Sequence, residues 1–149
     1  MLFLGAIEGT IDSKGRTSVP VEFRHAVPEG IYAGVVLYRS FTAKCIEGCT
    51  MDRMEKISDA ADTMDLFGSE AQSINSLIFS DARSLQFDSA GRIVVPADLL
   101  AHAGINGKAL FVGRGKTFQI WNAADFKEQQ ELDRTRAQRE RPSLVIPKN

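Results

Sequence analysis

Apolar and polar residues fall into short, punctuated runs along the first fifty positions. Leu2 to Ile11 carries β-branched and aromatic residues at strand density and predicts a strand that ends in Asp-Ser-Lys-Gly. Asp at the first turn position and Gly at the fourth predict a type I turn whose last residue is left-handed, a common closure for a bulged hairpin. A strand resumes at Arg16. Pro20 to Ala26 then reads as a short helix with Pro20 as its first residue, stopped by Val-Pro-Glu-Gly. Two further strands follow, Tyr-Ala-Gly-Val-Val-Leu-Tyr-Arg from Tyr32 and Lys-Cys-Ile-Glu-Gly from Lys44.

The same order returns in the second half. Leu85 to Phe87, the turn Asp-Ser-Ala-Gly, Arg92 to Val95, a helix Pro96 to Ala103, and strands from Lys108 and Thr117 repeat the unit. At an offset of 76, Asp12/Asp88, Ser13/Ser89, Gly15/Gly91, Arg16/Arg92, Val19/Val95 and Pro20/Pro96 coincide. The later strands align at an offset nearer 74, with Ile120 against Ile46, so a two-residue difference sits in a loop. A period of this kind marks a duplicated unit. One unit of four short strands and a helix cannot cover its own apolar face, whereas two can pair strands around a common core.

Between the copies the period changes from two to helical. Met51, Met54, Ile57, Ala61 and Met64 form one apolar stripe, and Ala71, Ile74, Leu77 and Ile78 form another. Both are read as core faces, the methionines included. A last helix is predicted from about Ala123 to Gln138 with Asn122 as its N-cap. It is polar almost all round, so it is either exposed or leans on a neighbour. The Pro-punctuated ending Arg-Pro-Ser-Leu-Val-Ile-Pro-Lys-Asn reads as a tail. The predicted organisation is a first repeat at 2–50, a helical insert at 51–81, a second repeat at 82–126, and a helix and tail at 127–149.

Length, 149 residues, allows one cored domain or two half-domains sharing a core. With 44% hydrophobic and 25% charged residues the composition is globular. No apolar run reaches bilayer length, and the first residues lack the basic lead of an exported leader, so a cytoplasmic protein without a membrane partner is expected. Cys45 and Cys49 are too few for a disulfide framework and lack the second pair of a zinc site, so they read as small packed or surface thiols. His25 and His102 read as structural or surface residues. No nucleophile, metal or phosphate-loop pattern is present, so no enzyme, cofactor, metal or small-molecule effector is expected. The net charge of −1 requires any nucleic-acid face to be local. Acids crowd between Glu47 and Asp81, where only Arg53 and Lys56 oppose them, and elsewhere the balance is basic.

The repeated turn needs its own explanation. Asp12 and Asp88 can cap their turns, and Gly15 and Gly91 can supply the left-handed residue. The fold has little need for the same long cation at Arg16 and Arg92. Held by the Asp four residues before it, a guanidinium becomes a preset planar fork suited to phosphate or guanine edges. Lys14 adds a cation to the first turn, where the second has Ala90. Arg24, from the following helix, also counts for the first turn in sequence order.

Asp-Ser-Lys-Gly-Arg-Thr-Ser-Val-Pro, Phe-Asp-Ser-Ala-Gly-Arg-Ile-Val-Val-Pro and Phe-Gln-Ile-Trp-Asn-Ala-Ala-Asp-Phe, spread over Phe3 to Phe126, resemble the MraZ family, whose repeats are related to AbrB/SpoVT swapped-hairpin DNA-binding domains. The resemblance implies an α+β fold in which two swapped-hairpin repeats form a pseudo-twofold β-barrel with flanking helices. It also implies a nucleoid-associated bacterial transcriptional regulator, mainly a repressor of the division and cell-wall gene cluster. Such a regulator assembles as a ring-shaped homo-oligomer and binds tandem promoter DNA repeats through its turns. Carried onto this chain, the DNA-binding residues are Asp12, Lys14, Arg16, Arg24, Asp88 and Arg92. Ala90 and Leu100 depart from a basic pattern in the second copy, so the first turn is expected to bind more strongly. A homo-oligomeric scaffold and an AbrB-like antitoxin module that docks its last helix on a partner are the alternatives.

Overall fold

The computed structural model describes residues 1–30 and 33–148. Among the described residues eight strands and five helices follow one another in two similar series. The first series is β1 (Ala6–Thr10), β2 (Arg16–Ser18), α1 (Val21–His25), β3 (Gly34–Arg39) and β4 (Ile46–Cys49). The insert holds α2 (Met51–Ala61), α3 (Ser69–Ile74) and a wide helical turn at Asn75–Phe79. The second series is β5 (Arg83–Gln86), β6 (Arg92–Val94), α4 (Ala97–Ala103), β7 (Lys108–Gly113) and β8 (Phe118–Trp121), followed by α5 (Ala123–Glu140).

The elements expected from the periodicity are present, with local differences. The first strand is split: Phe3 bridges Gly115, Gly5 intervenes at φ +89°, and regular pairing begins at Ala6. Tyr32, the expected start of β3, lies outside the described residues, and the strand is seen from Gly34. Pro20 and Pro96 precede their helices instead of opening them, because both keep an extended ψ, 139° and 141°. Their carbonyls still accept the first helical N–H groups, those of Phe23 and Arg24 and of Leu99 and Leu100. Leu77, expected in the core stripe, is 43% exposed. The helix widens there, Ser80 N–H donating to the Asn75 carbonyl at 2.9 Å, and the register shift buries Ile78 instead.

All six strands of the larger sheet are antiparallel to their neighbours, in the order β1-β7-β8-β4-β3-β5, and β2 pairs with β6 in a separate two-stranded ribbon. The first two strands of each copy therefore pair with the other copy. Registers obey the sequence offsets: Ile46 lies opposite Ile120 and Thr17 opposite Ile93, so equivalent residues face each other in both pairs. Likewise Gly9 faces Ala109 while Leu85 faces Val35. That is a twofold relation running through the β4–β8 pair and the ribbon.

Because the copies interlock, they share one core. Phe3 and Phe23 from the first copy meet Phe111 and Phe118 from the second, with Phe23 ring centroids 5.4 Å from Phe3, 5.5 Å from Phe118 and 6.2 Å from Phe111. Phe23 and its equivalent Leu99 are fully buried. The opposite sheet face carries two smaller clusters. Met54 and Ile78 pack on Val36 and Cys49, and Phe126 packs on Val112, Trp121 and Cys45. Both cysteines are buried free thiols, and burial pushes each up to about 12. α2 lies on this face through its apolar stripe, whereas α5, the helix in the equivalent place, has no buried residue. Asn122 caps α5 as expected, accepting from the Asp125 N–H at 3.1 Å.

Candidate nucleic-acid interface

Each repeated turn is closed by its own aspartate. Asp12 Oδ1 accepts from the backbone N–H groups of Lys14 and Arg16, both at 2.9 Å, and Oδ2 accepts from Arg16 Nε at 2.7 Å. In the second turn Asp88 Oδ1 accepts from the Ala90 and Arg92 N–H groups at 2.9 Å, and Oδ2 from Arg92 Nε at 2.9 Å. Gly15 and Gly91 complete the bulges at φ +84° and +75°. The Arg16 backbone N–H, and then its guanidinium, hold the Asp12 carboxyl below the usual carboxylate range. The Arg92 backbone N–H leads the same effect on Asp88. Both carboxylates are thus charged and committed to the turn.

Because each Nε is engaged, the arginines are oriented while their Nη groups stay available. Among the described residues neither Arg16 nor Arg92 donates through Nη to the protein. Along the ribbon exposure alternates: Arg16, Ser18, Arg92 and Val94 point out, while Thr17 and Ile93 are buried. Arg16 faces Val94 and Ser18 faces Arg92, so the two arginines stand on one outward face, about 7 Å apart along the strands. Ser18 and Val94 belong to this face and escaped sequence reasoning. Two-residue alternation about Thr17 and Ile93 was the available signal, but a three-residue strand is too short to display it.

The interlock also moves Arg24. In sequence it follows the first turn, but the structure places it on the second. Its Nε donates to the Val19 carbonyl at 3.1 Å, and its guanidinium covers Gly91, where an added Cβ would lie 2.7 Å from Cζ. The cause is the β2–β6 pairing, which sets the helix after each ribbon strand over the turn of the other copy. Reciprocal bonds, Val19 N–H to the Gly91 carbonyl at 3.2 Å and Val95 N–H to the Gly15 carbonyl at 2.8 Å, tie each turn to the opposite repeat. Leu100, the equivalent of Arg24, accordingly flanks the first turn, in a concavity of about 430 Å³ that also includes Asp12, Lys14, Gly15 and Val95. Lys14 and Arg16 therefore equip one turn, Arg24 and Arg92 the other.

Two further ion pairs lie outside the ribbon. Arg83 clamps Asp98 through both Nη groups at 3.1 and 2.6 Å, and Arg39 binds Asp81, tying the end of the insert to β3. The partners stand 15 and 42 residues apart, and no local pattern announces them.

Comparison with known proteins places the chain in a family. The family "MraZ protein, putative antitoxin-like" matches residues 78–143. A Transcriptional regulator MraZ from Pelagibacter ubique (strain HTCC1062) is 43% identical over 148 residues, 99% of this chain and 96% of that protein. The chain belongs to the MraZ family. Another member, the Transcriptional regulator MraZ of Rhodospirillum rubrum, is 45% identical over 122 residues, 80% of this chain and 79% of its own length. The family protein of the same name from Rickettsia canadensis (strain McKiel) is 37% identical over 127 residues, 85% of each chain. Among the described residues no helix is long and apolar enough to cross a membrane.

Proposed function

We propose that this MraZ family member regulates transcription by binding promoter DNA sequence-specifically through the outward face of the β2–β6 ribbon and the two turns at its ends. The observation that carries this reading is the pair of aspartate-held guanidinium forks, Arg16 and Arg92, standing on one face with their Nη groups free. The major groove of B-DNA admits a two-stranded ribbon, a guanidinium fork matches a guanine edge or a phosphate, and Val94 suits a thymine methyl. Asp12 and Asp88 position the forks, and Lys14 and Arg24 supply phosphate contacts.

The exchange of strands supports describing the copies at 2–50 and 82–126 as swapped hairpins wrapped into a pseudo-twofold barrel around the shared core. A chain of net charge −1 has little general attraction to DNA. A ring-shaped homo-oligomer that presents several ribbons to tandem promoter repeats offsets this by effective concentration. Repression of the division and cell-wall gene cluster by a cytoplasmic, nucleoid-associated protein rests on the family resemblance. The antitoxin-like description of the family favours a second reading, in which the exposed α5 docks on a partner protein.

The test is a titration of wild type, Arg16→Ala, Arg92→Ala and the double variant on the protein's own upstream promoter and on scrambled DNA, at several salt concentrations. Loss of the promoter preference in the double variant is expected. Wild-type affinity in that variant would overturn the reading.

A further inference from the structure

We propose that residues 134–148, the arginine-rich end of α5 and the segment after it, form a strap that docks on the acidic insert of a second copy of the chain. Leu144, Val145 and Ile146 of the strap enter the groove between α2 and the wide turn. This deepens the self-assembly half of the proposed function and rests on it.

The strap has no place on its own copy. Leu144, Val145 and Ile146 are 95, 92 and 87% exposed, consecutive, and bracketed by Pro142 and Pro147, which favour an extended backbone. Single exposed apolar residues are ordinary on a protein surface, but three in a row are not. α5 is 18 residues, about 27 Å long, and buries none of them. Its anchors lie in the first turn: the Phe126 ring packs tilted against Trp121, centroids 5.6 Å apart, and Asp125 pairs with Lys44 at 3.5 Å. A polar helix without an apolar face gains little from its own fold and is stabilised by whatever covers it.

The insert is complementary in charge and in chemistry. Asp52, Glu55, Asp59, Asp62, Asp65 and Glu70 are exposed on α2, α3 and the loop between them, against Arg53 and Lys56, a net charge of −4. Between 134 and 148 the chain has Arg134, Arg136, Arg139, Arg141 and Lys148 against Glu140, a net charge of +4. Among the described residues Arg139 and Arg141 have no carboxylate partner, and neither Asp59 nor Asp62 has a cation. Beside α2 lies a groove of about 280 Å³ walled by Val36, Met51, Met54, Phe79 and Ala82, with Glu55 at its rim. Three aliphatic side chains next to Arg139 and Arg141 fit an apolar groove that has Glu55 at its rim and belongs to an insert of net charge −4. The arginines alone would also suit DNA, but Leu-Val-Ile has no use against a phosphate backbone. A strap on one copy and a groove on another make a head-to-tail contact, the kind that closes a ring.

Two charge-reversed full-length proteins test the contact by light scattering at matched concentration. Arg139→Glu/Arg141→Glu turns residues 139–148 from a net charge of +2 to −2, and Asp59→Arg/Asp62→Arg turns residues 51–62 from −2 to +2; all four positions are exposed, and thermal unfolding checks the fold. Each variant alone is expected to show a lower mass, with self-association weakened about tenfold or more by like charges. An equimolar mixture should recover the wild-type mass, because each strap's end, residues 139–148, then meets an α2 of opposite sign only on the other protein. Val145→Ser should also lower the mass. Variants that keep the wild-type mass, or a mixture that fails to recover it, would overturn the strap. So would charge variants of unchanged mass that lose only DNA affinity, which would assign the strap to DNA. Wild type that is monomeric at micromolar concentration would sink self-assembly itself, a result distinct from oligomeric wild type with indifferent variants.

Discussion

The turn from Asp12 to Arg16 and the turn from Asp88 to Arg92 share the same bonds, nearly the same glycine φ and the same outward arginine, yet their surroundings differ. Lys14 and the Leu100 concavity flank the first; Ala90 and the Arg24 guanidinium flank the second. The closed geometry is thus common to both copies, and each turn has two cations from different sources. In the first, both come from the turn itself; in the second, one is lent by the other repeat. Counting cations along the sequence assigns three to the first turn and one to the second, and the interlock evens the number.

The largest expected difference between the turns is in stability. At Gly15 an added Cβ would sit 2.5 Å from the backbone carbonyl oxygen of Val95, a residue tied to this turn by its own N–H donating to the Gly15 carbonyl. At Gly91 it would meet only the mobile end of Arg24. Gly15→Ala is expected to destabilise by about 3 kcal/mol and Gly91→Ala by about 1–2 kcal/mol, mostly left-handed strain. Urea unfolding of both variants measures this, and equal losses would mean that the two turns are braced alike.

DNA binding should show the opposite, near-equality. Arg16→Ala and Arg92→Ala are each expected to weaken promoter binding comparably, by about 1–3 kcal/mol for each turn that reads a base. The sequence-based expectation put Arg16 ahead on two grounds, Lys14 in the first turn alone and Arg24 counted beside it, and the structure moves Arg24 to the second turn. An Arg92→Ala protein with wild-type affinity would restore that asymmetry.

Acid should open both turns together. Held below the usual aspartate value in the folded state, the Asp12 and Asp88 carboxyls contribute stability that is fully present above the unfolded value and lost as pH falls through the lower folded one. Amide signals of Lys14, Arg16, Ala90 and Arg92 should therefore hold from pH 7 to 5 and shift only below about 3.8. An earlier change at Ala90 and Arg92 alone would show that the second carboxylate is the more weakly held.

The smallest effect separates the flanking cations. Lys14→Ala should reduce the salt slope of DNA binding by about one per turn engaged, and Ala90→Lys should raise it by a similar amount. Salt titrations in which Lys14→Ala leaves the slope unchanged would place Lys14 outside the phosphate contacts.

Much of the architecture was legible in the chain. The doubled Asp-x-x-Gly-Arg, its offset of 76 and the later offset of 74 predicted the order of elements, and both offsets return as the strand registers. The Asn122 cap was legible for the same reason: capping, turn closure and strand alternation depend on residues within a few positions of one another. Leu77 and the leading prolines were misread locally, where one wide turn and one extended ψ shift a boundary by a residue.

By itself, then, the sequence determined the local chemistry: two aspartate-closed turns, each orienting an arginine, within a duplicated unit too small to bury its own face. Tertiary structure alone decided which side chains surround those turns. Strand pairing between copies brings together residues as far apart as Arg24 and Gly91, sets Arg16 and Arg92 on one face, and leaves α5 without cover. Those outcomes follow from register and packing over long separations, which are set by how two apolar faces close on each other and leave no mark in any short stretch of sequence.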